Sequence, residues 1–451
     1  MQKLTGLFQL LVLFSLPVTA LAQQQGNLEE TIIDTTRQQA GLAGRGEAIN
    51  ITGYIQPQFQ IGQSPGQRSF NGGDFAPGVQ SRFSVRRGRL RVDYARYDAN
   101  QQPIVLFVFQ FDGTERGVQT RDFWGRYYEN QWNVLHLTAG LFARPFGFEV
   151  NYSSADRESP ERGRMSQLLM RTERDLGAML TFDPRRKTHP LRFLKVDVGL
   201  FNGPGLSSIS DYDGHKDVIS RVSLKPQKIS RQGATVTGSV SGYFGGIGQF
   251  TNEIYRMAQV RSGTTDAPRF VRDSSVVRVG QAAPRHYYGA DVQVRIPNRA
   301  GFTEFRAEYI SGWQTATRFS TETPGSIPTP VSVAPSAPSS SATNASPLYV
   351  RRFDGAYFYF LQHLGSLKHQ LVVKYDWYDP NKLIRGRQID GAFTWADIRY
   401  DTIGFGYLCY LTDNLKALLW YDIPVNEATR LPGYEQDTPD NLLTIRTQYR
   451  F

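Results

Sequence analysis

Along most of the chain, apolar and polar residues alternate one by one. In LKVDVGLF, Leu194, Val196, Val198 and Leu200 face one way, and Lys195, Asp197 and Gly199 the other. In YGADVQVRI, Ala290, Val292, Val294 and Ile296 oppose Asp291, Gln293 and Arg295. A period of two is the signature of a β-strand with two different faces. The pattern predicts sixteen strands, near 49–61, 82–96, 103–112, 121–128, 132–143, 174–183, 191–201, 215–225, 233–244, 286–296, 302–312, 349–362, 367–378, 399–411, 415–423 and 442–451. The connections after every second strand are short: DANQQ, ENQ, PRRKTHP, PQKISRQ, PNRA, HLGSL and TDN. The others are mostly long, with 145–173, 245–285 and 313–348 the longest. Tight turns at one end and large loops at the other describe an antiparallel up-and-down sheet. Soluble β-sandwiches show no such asymmetry.

Charge decides which face points inward. Within strands it falls on one parity: Lys195 with Asp197, Asp217 with Arg221, Glu304 with Arg306 and Glu308, Lys374 with Asp376. In a dry core each ion would need a partner, and desolvation would cost several kcal/mol per ion. Lining a watery lumen costs little, and sixteen strands close around a space wide enough for one. The apolar parity then faces lipid. Aromatics on that parity near strand ends (Phe123, Tyr127, Tyr309, Trp313, Tyr357, Tyr359, Tyr375, Trp377 and Tyr421) are candidates for interfacial girdles. The fold expected is all-β: a sixteen-stranded antiparallel transmembrane β-barrel with short periplasmic turns and long extracellular loops.

Composition agrees. The 451 residues are 13% aromatic, and the mean hydropathy of −0.40 excludes a bundle of membrane-spanning helices. Residues 1–22 read as a signal peptide: Lys3, an apolar run from Leu7 to Val18, then Ala20-Leu21-Ala22. The chain is therefore expected in the bacterial outer membrane. Residues 23–48 are polar and read as a periplasmic extension or a plug ahead of the barrel at 49–451. The Ser/Pro/Thr/Ala-rich stretch within 313–348 reads as a long low-complexity extracellular loop. Cys409 is the one cysteine and makes no internal disulfide.

The stretch RFSVRRGRLRVDYAR, from Arg82 to Arg96, holds six arginines in an alternating strand. Leu90, Val92 and Tyr94 take one face, so Arg87, Arg89 and Arg91 take the other. Phe83 and Val85 have the wrong parity for this, and a β-bulge near Arg86–Gly88 would restore one apolar face. An arginine facing lipid near the midplane costs roughly 2–4 kcal/mol. Three would cost as much as a whole domain's stability, so they face the lumen. Guanidinium groups stay charged and match the oxygens of phosphate or carboxylate. Either they offer an anion successive sites, or they pair with lumen acids such as Asp93 and stiffen the wall.

GLFARPFGFEV (140–150), ERDLGAML (173–180) and the Arg-rich strand SVRRGRLRVDY resemble the phosphate-selective porin O and P family. The terminal aromatic Phe451 looks like an outer-membrane assembly signal. The resemblance runs over most of the chain and is most specific over 84–180. It implies a porin, often a homotrimer, whose third long loop folds inward to narrow the pore, here 145–173. It also implies basic residues in the channel. Arg144, Arg171 and Arg174 would serve from the loop and its ends, with Arg126 and Lys195 on neighbouring walls. The run MSQLLMR suggests a short helix whose Met165, Leu168 and Leu169 dock the loop on the wall.

One feature departs from a phosphate filter. Between 144 and 175 six arginines are matched by six acids, with no lysine. That suggests a transverse field rather than a cationic ring. Enzymatic motifs are absent: there is no HExxH, GSVSG lacks the nucleophile serine, and the six histidines are dispersed. DYDG at 211–214 lacks most of an EF-hand loop. A nucleic-acid role for an exported, strand-borne arginine run is set aside. The sequence thus points to passive passage of small solutes with a preference for phosphate or similar small anions, with outer-membrane lipid as surroundings. No catalytic residue, metal ligand or cofactor is assigned. The net charge of +10 suits anionic solutes. The rivals are a general or saccharide-passing porin with a balanced constriction, a barrel enzyme, and an adhesion barrel.

Overall fold

The computed structural model describes residues 46–208, 210–262, 265–274, 279–328 and 345–451. The expected signal peptide, most of the 23–48 extension and the centre of the 313–348 loop lie outside them. Eighteen strands follow one another: β1 (Glu47–Gly62), β2 (Ser81–Tyr97), β3 (Pro103–Thr114), β4 (Gly117–Tyr128), β5 (Leu135–Ala143), β6 (Arg174–Phe182), β7 (Leu194–Phe201), β8 (Asp217–Lys228), β9 (Thr235–Gly248), β10 (Glu253–Ser262), β11 (Thr265–Ser274), β12 (Ala282–Asn298), β13 (Gly301–Ala316), β14 (Leu348–His363), β15 (His369–Asp379), β16 (Tyr400–Tyr410), β17 (Leu415–Asn426) and β18 (Leu442–Arg450). Sixteen of them form a closed antiparallel barrel. Each pairs with the next, β9 pairs directly with β12, and β18 returns to β1 through pairs such as Phe59 with Ile445. Closure leaves no edge strand, so the strand backbones are paired around the barrel, interrupted only at bulges.

The two faces are inverted relative to a soluble protein. Leu90, Phe123, Leu180, Val240, Phe305, Phe405 and Ile445 are exposed on the outside. Gln58, Arg89, Asp197, Glu304, Lys374 and Arg446 are buried on the inside. An apolar exterior around a polar interior is the membrane-barrel arrangement.

The second strand shows how the sequence handles a parity conflict. Gln56 pairs with Arg87 and Pro57 with Val85, so Arg86 is the extra residue of a bulge. Pro57 sits there because it has no N–H to give the ladder. Below the bulge Phe83 turns outward and its ring meets that of Phe59 at 4.5 Å. Above it Leu90 faces out and Arg87 and Arg89 face in.

Three features differ from the sequence reading. Tyr357 and Tyr359, read as girdle residues, are 1% and 5% exposed and face the lumen. They stand directly across from Asp376 and Lys374, and directly paired residues share a face. The connection 245–285 contains the hairpin β10–β11, whose Ile254, Tyr255 and Arg256 pair in parallel with Leu348, Tyr349 and Val350 at the start of β14. The charges and Pro268 in that run hide it from a periodicity search. On the same end, β3 and β4 are joined by a tight turn at Glu115-Arg116, the exception among the long connections.

Candidate functional site

The segment between β5 and β6 meets the inward face of the barrel around most of its circumference. Its base is closed where Arg144 N donates to Glu173 O at 3.1 Å. Gly147 then adopts φ +63, and a Cβ there would stand 2.0 Å from Glu308 Oε1. Glycine alone allows the backbone this close, which lets the N–H groups of Phe148 and Glu149 donate to the Glu308 carboxylate at 3.2 and 3.0 Å. The run MSQLLMR contributes to α1 (Arg164–Leu169). Met165 and Leu169 are buried in one cluster with Phe146, Tyr287, Phe353 and Tyr378, and Leu168 packs against it.

The acids of the segment reach outward to cations on the wall. Glu158 takes two bonds from Arg306, at 2.7 and 2.9 Å. Asp156 pairs with Arg450 at 3.1 Å, and Glu149 lies 3.9 Å from Lys374 and accepts from Tyr359. Glu173 bridges Arg121 at 3.1 Å and Arg162 at 3.0 Å. Glu161 gathers three arginines: Arg86 at 2.7 Å, Arg87 at 2.6 Å and Arg446 at 3.3 Å. Burial alone would raise the Glu161 carboxyl, but the three guanidinium groups outweigh it and hold it well below the usual carboxylate range. Glu173 is depressed in the same way: burial is outweighed by Arg121, Arg162 and Arg174.

The eight basic residues singled out from sequence are placed as follows. Arg87, Arg89 and Arg91 stand in one inward column, each with a carboxylate: Glu161, Asp112 at 3.0 Å and Asp93 at 2.8 Å. Arg126 donates to Thr138 at 2.8 Å and lies over the Trp124 ring. Arg174 pairs with Asp122 at 3.1 Å, beside Arg121 and Arg89. Arg144 donates to the carbonyls of Gly203 and Thr172 and so anchors the segment's base. Lys195 sits 3.5 Å from Asp197 on a more distant wall. Arg171 is exposed and pairs with Glu322 of the 313–348 connection at 2.7 Å, away from the others. Sequence reasoning missed Arg86, Arg121, Arg306, Lys374 and Arg446 as the wall's grip on the segment. The inward parity of Arg306, Lys374 and Arg446 was legible, but Arg446 finds Glu161 285 residues away. Arg86 and Arg121 share the parity of lipid-facing neighbours and turn inward only as the extra residues of bulges.

On the long-loop side a cleft is lined by Arg68, Asn71, Arg162, Arg164, Lys374, Asp376, Asp422 and Asp440. Arg164 is held there over the rings of Tyr400 at 3.6 Å and Phe70 at 4.2 Å. Burial pushes the Asp440 carboxyl up to about 6. Among the described residues no group of three or more His, Cys, Asp or Glu is placed to hold a metal ion. The arrangement places ion pairs and dipoles along the inner face of the barrel.

No family model matches the chain, and no curated protein matches it. Solved structures do. OprB of Pseudomonas putida is 9% identical, covering 92% of this chain and 96% of its own, with a TM-score of 0.53. A loop-L8 deletion mutant of OmpT, an outer membrane protein of Vibrio cholerae, is 9% identical over 90% of this chain and 100% of its own, with a TM-score of 0.50. An anion-selective porin from Comamonas acidovorans is 8% identical over 90% of this chain and 100% of its own, with a TM-score of 0.49. At these identities the likeness is one of fold. The chain is a sixteen-stranded barrel of the outer-membrane kind.

Proposed function

We propose that the protein is an outer-membrane porin through which small solutes diffuse passively, with a preference for small anions such as phosphate. The observation that carries this reading is the charged inner face, with 144–173 clasped to it by ion pairs, inside an apolar exterior. The fold it shares with OprB of Pseudomonas putida supports the location. The inward column Arg87–Arg89–Arg91, with Arg126 and Arg174 near it, would form the anion-preferring wall, and 145–173 the constriction. Membership of the phosphate-selective porin O and P family, export by residues 1–22 and assembly as a homotrimer belong to the same reading.

One observation favours a second reading. Arg87, Arg89, Arg91 and Arg174 are each paired with a carboxylate. A balanced lumen of this kind would pass neutral solutes, such as saccharides, with weak ion selectivity. Planar-bilayer recording under a salt gradient separates the two. The anion reading expects a reversal potential of anionic sign, block by phosphate, and a weakened preference in Arg89→Ala and Arg91→Ala. A potential near zero that neither substitution moves supports the balanced channel. Absence of conductance removes both.

A further inference from the structure

On the short-turn side of the segment 144–173, a second, smaller cleft has no carboxylate in its lining. Its walls are Gln56, Arg157, Ser159, Lys416, Arg446 and Gln448, with Leu408 and Leu418 behind them. Most of these groups are already committed. Gln56 donates to Ser154 O at 2.9 Å and to Gln448 Oε1 at 2.7 Å, and Gln448 donates to Ala155 O at 2.9 Å. Arg446 is spent on Gln58, Pro160 O and Glu161.

Arg157 is different. It is 5% exposed, yet its Nε and Nη1 have no partner. Its Nη2 reaches the Tyr152 carbonyl at 3.3 Å, and it pairs with no carboxylate among the described residues. The adjacent acids are taken: Asp156 by Arg450 and Glu158 by Arg306. Lys416 lies against the same turn of chain. Its Nζ donates to Ala155 O at 2.7 Å and Arg157 O at 3.2 Å, which leaves a third proton. A buried guanidinium with unsatisfied donors is costly unless an acceptor meets them, and Lys416 lines the same cleft.

We propose that Arg157 and Lys416 form a binding site for a small inorganic anion, a halide or a single oxyanion. Arg157 Nε and Nη1 would be the fixed donors, and the Lys416 ammonium the second charge. The cleft is small, which limits the ligand to an anion of a few atoms. The site is separate from the Arg87–Arg89–Arg91 column, whose charges are answered within the protein. The inference rests on the lumen being a watery passage, because the anion reaches the cleft through it.

Anomalous diffraction from crystals of the full chain, soaked in bromide or in arsenate, tests this. A peak between the Arg157 guanidinium and the Lys416 ammonium is expected. Bromide alone assigns a halide-sized site, and arsenate assigns an oxyanion site. No peak with either probe overturns the proposal. Arg157→Gln should lose the peak while the barrel stays folded, and a peak that persists there overturns the role of Arg157. If Arg157→Gln fails to fold, Lys416→Met provides the same test. Diffraction reads the site whether or not the channel conducts, so a failure of this proposal is distinguished from a failure of the porin reading.

Discussion

Glu161 holds Arg86, Arg87 and Arg446 on one buried carboxylate. Glu161→Gln would leave these cations uncompensated, and breaking a buried pair costs about 3–5 kcal/mol. Because the barrel strands pair without it, the loss should fall on the docking of 144–173. Trypsin should then cut after Arg157 or Arg162, which are buried in the native protein. Equal protection of the variant would count against the clasp. The pH dependence follows from the same group. The folded Glu161 and Glu173 carboxyls lie well below their ordinary value. A depressed carboxylate contributes stability that is present above the unfolded pKa, about 4.3. It is lost as pH falls through the lower folded value. Docking should therefore be constant from pH 7 to about 4.5 and weaken only in stronger acid. Recordings at pH 7, 5 and 3 should show a change in channel noise only at the last.

At the scale of elements, the bulge at Arg86 decides which side chains of β2 meet lipid. Leu90→Arg places a guanidinium on the outer face and should cost roughly 2–4 kcal/mol near the membrane midplane. Denaturant unfolding in lipid vesicles measures it, and a neutral effect would contradict the assigned face. The β10–β11 hairpin makes the opposite case. Gly248 pairs directly with Ala282, so the barrel closes beneath the hairpin. Replacing 249–281 by a short turn should leave folding intact, read as the unchanged heat-dependent gel mobility of the barrel. The helix α1, though marked by an apolar run, gains its place from the wall it meets, packing on Tyr287, Phe353 and Tyr378 while Arg164 N donates to Asp376 at 3.2 Å.

For the whole molecule, the first and last strands complete the barrel. Phe451 and Gly53 exchange backbone hydrogen bonds at 3.0 Å, and the Phe451 ring covers the space where a Gly53 side chain would stand. Deleting Phe451 should lower the yield of folded barrel, checked by refolding into detergent micelles. Light scattering of the purified protein tests the proposed homotrimer: a mass near three chains supports it, and a single-chain mass does not.

The sequence by itself determined the sixteen strands of the barrel, the alternation of most short and long connections, the inside-out faces and the bulge in β2. Each depends on spacing within one strand or on the cost of charge in lipid, and both are local. The same locality made Arg87, Arg89 and Arg91 inward residues. Tyr357 and Tyr359 show the limit, because their face was settled by the register with β15. Only the tertiary structure decided that the arginine column is answered by acids, that Glu161 reaches back to Arg446, and that Arg157 is left without a carboxylate. Closing a sheet into a barrel brings distant strands and one inner segment together, and ion pairing depends on that distance in space, not on distance along the chain.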